Sequence, residues 1–297
     1  MNSWTLLLAV CALLVPVLRA QDSQPASRSL VPTRDDAAAE SLGWRLGTQA
    51  WTFRDRTAFE VIATADRLGL RYVEFFPGQP LSKAQPEWKM GPDAPAEAIA
   101  ALQATLREHR VQAVSYGVTG LWKDEARSRV VFEFARKLGL ETITAEPEAD
   151  AFATVSKLCD EFGLRVALHD HPKPSPYWSP ELVLAAIQGQ SERIGACADT
   201  GHWLRSGLVP LECLQQLAGR IVTLHFKDIS GQRGGIDMPW GTGKGNARGM
   251  LAELQRQKFR GVILVEYEHG SGEALEANVA KCIRFFDAVA AELVRRK

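Results

Sequence analysis

The chain has no excess of either charge: Lys plus Arg and Asp plus Glu number 35 each in 297 residues. The basic field that draws nucleic acid is therefore missing. It has no CxxC pair, and Cys11, Cys159, Cys197, Cys213 and Cys282 stand far apart in apolar surroundings. A chain of this size needs no disulfide staples, so the four cysteines beyond residue 20 are expected as buried free thiols. No GxGxxG opens a helix after the first apolar segment, which argues against an open dinucleotide-binding sheet. The segment GTGKG (241–245) lacks the Ser or Thr that follows in a phosphate loop, and it reads as a flexible lid.

The longest apolar run, WTLLLAVCALLVPVL (4–18), is short for a membrane span. With LRA before Gln21 it reads as a secretory signal peptide over 1–20, although no Lys or Arg precedes it. Residues 21–42 are polar and rich in Pro, Ser and Ala, as in a flexible linker. The expected organisation is export to the periplasm or beyond, no membrane attachment in the mature form, and one folded domain over 43–297.

Within that domain a unit recurs. ADRLGLRYVEFF, ARKLGLETITAE and CDEFGLRVALHD each read as a helix end, a glycine and a short apolar strand. Gly69, Gly139 and Gly163 suit the left-handed residue that ends a helix. The near-continuous apolar strands fit a parallel sheet covered on both faces. Eight such strands alternate with helical patterns such as PAEAIAALQATLREHR, which predicts a single (β/α)8 TIM barrel.

Active sites of such barrels lie at the C-terminal ends of the strands. Five of the six histidines fall there: His169 and His171 end the fifth strand, His202 follows the sixth, His225 lies in the seventh and His269 follows the eighth. With a side-chain period of two, His169, His171, Asp199, His225, Lys227 and Glu266 share the barrel mouth. Glu146 ends the fourth strand and Glu74 the second, each after an apolar run where an unpaired charge is costly. Imidazoles and carboxylates converging on one cavity point to one divalent cation: Mn, Co, Zn, Fe or Mg. Glu74 reads as a ligand-binding group or a partner of Arg71, and His269 as a loop residue. Trp51, Trp122, Trp178, Trp203 and Trp240 follow strand ends; Trp51 and Trp240 in particular offer flat faces on which a sugar ring can stack.

Three short motifs, ACADTGHW with Asp199 and His202 in D-x-x-H spacing, TLHFKD with His225 and LVEYE with Glu266, resemble the xylose isomerase-like TIM barrels. This is the sugar phosphate isomerase/epimerase superfamily, and the resemblance runs over about 45–290. It implies a metal held by a Glu ending the fifth strand, an Asp in the sixth, a His in the seventh and a Glu in the eighth. ALHDH departs from that pattern, with His169 where the Glu is expected and His171 at the family's His. Either His169 ligates the metal, or Glu146 supplies the missing carboxylate.

The resemblance also implies an enzyme that takes a proton from the carbon beside a sugar carbonyl, as isomerases and epimerases do. Ketose epimerases use glutamates of the fifth and eighth strands as paired bases. With the first replaced, His171 becomes the expected general base, since imidazole titrates near neutral pH. Lys227 is the second candidate, or polarises a substrate oxygen, and Glu74 and His202 complete the substrate side. Two other outcomes stay open: a 3-keto-glycoside lyase or hydratase, and a sugar-binding barrel without catalysis. The expected partner is a small carbohydrate, with a homo-oligomer open. A phosphodiesterase of the endonuclease IV type would need further histidines on the second and third strands, where Glu74 and Tyr116 stand.

Overall fold

The computed structural model describes residues 34–296, so the expected signal peptide and residues 21–33 of the expected linker lie outside the described residues. Eight parallel strands run Trp44–Gln49, Tyr72–Phe75, Gln112–Leu121, Thr142–Pro147, Arg165–His169, Ile194–Asp199, Ile221–Phe226 and Gly261–Val265. Each pairs with its neighbour in chain order, and the first pairs with the eighth from Trp44↔Gly261 to Thr48↔Val265, closing the barrel. This is the (β/α)8 architecture that the repeated unit predicts. Where strands crowd, glycine is required: a Cβ on Gly47 would lie 2.5 Å from the Tyr72 carbonyl oxygen of the second strand.

The connecting helices start and stop on local chemistry. Thr57 and Glu60 form a reciprocal capping box at the helix Ala58–Arg67, and the Asp124 carboxylate caps Glu125–Leu138. Gly139 and Gly163 end helices with φ of 72° and 69°, as their sequence positions suggest. Among the described residues, no helix is long and apolar enough to cross a membrane. Cys159, Cys197, Cys213 and Cys282 are buried free thiols, and burial pushes each up to about 12.

Two expectations need correction. The linker does not extend to residue 42. Ala37–Leu42 is a helix whose Ala39 and Leu42, three apart on one face, are buried against the C-terminal helix Gly272–Arg295. Arg34 reinforces this contact by pairing with Asp287 at 2.9 Å and lying over the Phe286 ring. GTGKG is likewise no free lid: the N–H groups of Gly241, Gly243 and Gly245 all donate to the buried Asp228 carboxylate, at 2.9, 3.0 and 2.9 Å.

The strands also stop earlier than the apolar runs suggest. The sixth ends at Asp199, whose Oδ1 accepts the N–H of Gly201 at 3.0 Å and of His202 at 2.9 Å and so starts the helix Thr200–Arg205. That cap leaves Oδ2 free for the mouth.

Gly47→Ala should destabilise the barrel by about 1–3 kcal/mol, because the added methyl meets backbone rather than a flexible side chain. Thermal unfolding measures it; an unchanged Tm would mean that the first strand can shift away from the second.

Candidate metal centre and cavity

The mouth encloses a cavity of about 310 Å³ lined by Gln49, Trp51, Phe76, Pro77, Gly117, Val118, His169, His171, His202, Glu266 and Glu268. Below it, one donor atom from each of His169, Asp199, His225 and Glu266 lies within 4.8 Å of the others, and all four residues are buried. Donors about 2.0–2.2 Å from one small cation fit within that span. The four come from the ends of the fifth to eighth strands, so barrel closure itself assembles them.

The tautomers follow from the partners. His225 Nε2 lies 2.9 Å from Glu74 Oε1, a carboxylate that can only accept, so Nε2 carries the proton. Nδ1 faces Glu266 Oε2 at 3.1 Å, and that oxygen also meets Lys227 Nζ at 2.8 Å. Either a proton on Nδ1 or a bound cation joins these two atoms, and a cation takes the Nδ1 lone pair in the proton's place. His169 repeats the design: Nδ1 faces Glu146 at 3.4 Å, and Nε2 faces Asp199 Oδ2 at 3.6 Å. Carboxylate-backed imidazoles of this kind are the usual supports of a metal ion.

The electrostatics agree. Burial alone would lower both imidazoles. Instead Asp199 and Glu146 raise His169, while Cys197, Glu74 and Glu266 raise His225 well above its ordinary value. Glu266 goes the other way, burial being outweighed by Lys227 and His225, which hold it well below the carboxylate range. The carboxylates of the site draw positive charge onto both imidazoles. Lys227 contacts Asp199 at 2.7 Å, Glu266 at 2.8 Å and Glu268 at 2.5 Å, and Arg205 lies 3.9 Å from Glu268, so the carboxylates share these cations with the two raised imidazoles. A divalent cation can stand in for the protons on the two imidazoles.

Several expected roles change. Glu146 is not in the four-residue donor group. Its Oε1 takes a short hydrogen bond from His171 Nδ1 and the longer contact with His169 Nδ1, and these outweigh burial to hold it down at about 2. Lys227 does not meet the expectation of a base: against the burial penalty, Asp199, Glu266 and Glu268 raise it well above the ordinary lysine value, so it stays charged. Glu74 neither lines the cavity nor pairs with Arg71, which bonds Asp66. Fully buried, Glu74 accepts from Gln49 at 2.7 Å, Thr144 at 2.9 Å and Ser115, and it orients His225.

Trp51 is 41% exposed and lines the cavity with its edge on Phe76. Trp240 does not: it is buried on Phe226, ring centroids 4.5 Å apart, and Trp203 is buried as well. His202 stands in the wall, where burial holds it well below the ordinary histidine value against the pull of Asp199, with Lys227 and His169 adding to the lowering. His269 is an exposed loop residue. Gln49 and Glu268 were not anticipated as wall residues. The signals were a polar residue ending the first apolar strand and the shared parity of Glu266 and Glu268.

The family model for the xylose isomerase-like TIM barrel matches residues 62–289. The chain belongs to that family. Among solved structures, an uncharacterised protein from Parabacteroides distasonis is 31% identical with a TM-score of 0.68, covering 82% of this chain and 98% of that one. The IOLI protein with a bound zinc atom shares the fold at 16% identity and a TM-score of 0.64, covering 84% and 98%. Inosose dehydratase 2 from Bacillus cereus is 32% identical over 84 residues, 28% of each chain. The chain spans less than two thirds of the length of the curated relatives it matches, 62% of one and 28% of another. On this frame His169 stands at the fifth-strand position for which the sequence resemblance implies a glutamate.

Replacing Glu74 by Gln should leave the barrel folded and lower zinc affinity by about tenfold to a hundredfold, because His225 loses its charged support. Asp199→Asn should abolish tight binding. Calorimetric titration with zinc reads both; wild-type affinity in Glu74→Gln would deny the buried carboxylate its orienting role.

Proposed function

We propose that this xylose isomerase-like barrel is a divalent-metal-dependent enzyme that removes a proton from the carbon beside a carbonyl of a sugar, in the manner of isomerases and epimerases. One observation carries the reading: the lone pairs of His169 and His225, each backed by a carboxylate, converge with Asp199 and Glu266 directly beneath a cavity that His171 lines. A cation held there supplies Lewis-acid polarisation of a substrate carbonyl. His171 serves as the base. Its Nδ1 donates to Glu146, which leaves Nε2 as the nitrogen with a lone pair, on a side chain about half exposed at the mouth. Trp51 presents an exposed apolar face against which a sugar ring can stack. Lys227 holds Asp199 and Glu266 in place.

A second reading, a 3-keto-glycoside lyase or hydratase, draws on a specific departure. His169 removes the fifth-strand glutamate that a two-base epimerase would use, so one base working with β-elimination or water addition fits the donor set. The name of the inosose dehydratase relative supports carbon–oxygen cleavage within the family. Export, inferred from residues 1–20, also suits an unphosphorylated sugar.

Zinc- or manganese-loaded protein should exchange the α-hydrogen of a keto-sugar for solvent deuterium, followed by NMR. Release of aglycone from a 3-keto-glucoside would select the lyase reading. Chelation should stop either reaction, and His171→Ala should stop it while keeping the metal. Metal binding without exchange into any keto-sugar would leave a sugar-binding barrel and defeat the proposal.

A further inference from the structure

His202, in the cavity wall, is built in the opposite sense to the two imidazoles of the candidate metal site. His169 and His225 each turn one nitrogen to a carboxylate. His202 Nδ1 instead faces a guanidinium: Arg205 Nη1 lies 3.2 Å away. A guanidinium carries donors only and has no lone pair to offer. Nδ1 must therefore accept, and the neutral ring carries its proton on Nε2. On the far side of the ring Nε2 lies 3.4 Å from Asp199 Oδ2, an acceptor compatible with a protonated Nε2.

Arg205 is itself fixed in place. Its Nη2 donates to Asp237 Oδ2 at 3.2 Å and its Nε to the Gly235 carbonyl at 3.3 Å, both in the loop after the seventh strand. Asp237 is almost fully buried and also accepts the N–H of Glu268, a wall residue, at 3.1 Å. The guanidinium cannot turn away from His202 without breaking these bonds.

We propose that Arg205 is a positioning residue that locks His202 in the Nε2–H tautomer, so that the cavity wall presents a neutral hydrogen-bond donor rather than a third metal-seeking lone pair. Two consequences follow. The three histidines His169, His171 and His202, whose donor atoms also lie within 4.8 Å of one another, do not form a second, all-nitrogen cation site. Resting on the proton-abstraction reading above, His202 is the group that donates to the substrate oxygen as that oxygen gains negative charge.

The nitrogen assignment is tested without any substrate. In histidine-15N-labelled full chain, metal-free and with one equivalent of zinc, the His202 signals are identified by their loss in His202→Gln. The expected result is a protonated Nε2 and an unprotonated Nδ1 in both states. In Arg205→Met the two tautomers should mix, and Arg205→Lys, which keeps a cationic donor, should restore the wild-type pattern. A protonated Nδ1 in wild type, or an unchanged pattern in a folded Arg205→Met, overturns the proposal. Zinc titration should saturate at one ion per chain; a second ion lost in His202→Gln would overturn it as well. With a keto-sugar that exchanges, Arg205→Met should lower kcat by about tenfold or more with little change in KM, and His202→Gln should keep more activity than His202→Glu. If no sugar exchanges, the functional reading falls, while the spectra still decide the tautomer.

Discussion

The constraint on which the mouth depends is the burial of several carboxylates in one small volume. Isolated ionised carboxylates in a low-dielectric interior are strongly disfavoured, and close pairs more so. Each acid here survives because a donor is aimed at it. Glu74 has four, Glu146 has two imidazoles, and Asp199, Glu266 and Glu268 share Lys227. The remaining imbalance falls on His169 and His225, whose imidazoles are raised in response. The metal reading and the raised imidazoles are two expressions of that one imbalance.

The barrel places the imbalance at the ends of its strands. Strand ends carry the polar residues, and the helices behind them are held by apolar burial and by local caps. The cap on Thr200–Arg205 shows how closely the two tasks are joined. Asp199 starts a helix with one oxygen and faces the mouth with the other. The same short helix then brings His202 and Arg205, three residues apart on one face, into the wall.

Much of this could be read along the chain. The repeated helix–glycine–strand unit disclosed the barrel, and a period of two at the strand ends placed His169, Asp199, His225 and Glu266 together. What stayed hidden depended on partners distant in sequence. Glu74 reads as a cavity residue until its carboxylate is seen bonded to His225, 151 positions later. Lys227 reads as a base until its three carboxylates are counted. Trp240 follows a strand like Trp51, but a loop tryptophan can fold back onto the barrel as easily as toward the mouth, and its packing on Phe226 has no mark in the sequence. Glu146 and His169 could not be ranked from order alone, because adjacent strands deliver both to the same corner.

The clasp between Arg34 and the C-terminal helix bears on how the molecule is presented to its surroundings. Arg34 also lies against Gly69, the turn that enters the second strand, on the side of the barrel away from the mouth. Residue 34 therefore lies on the underside of the barrel. The docked helix Ala37–Leu42 thus leaves the approach of small solutes to the opening unobstructed.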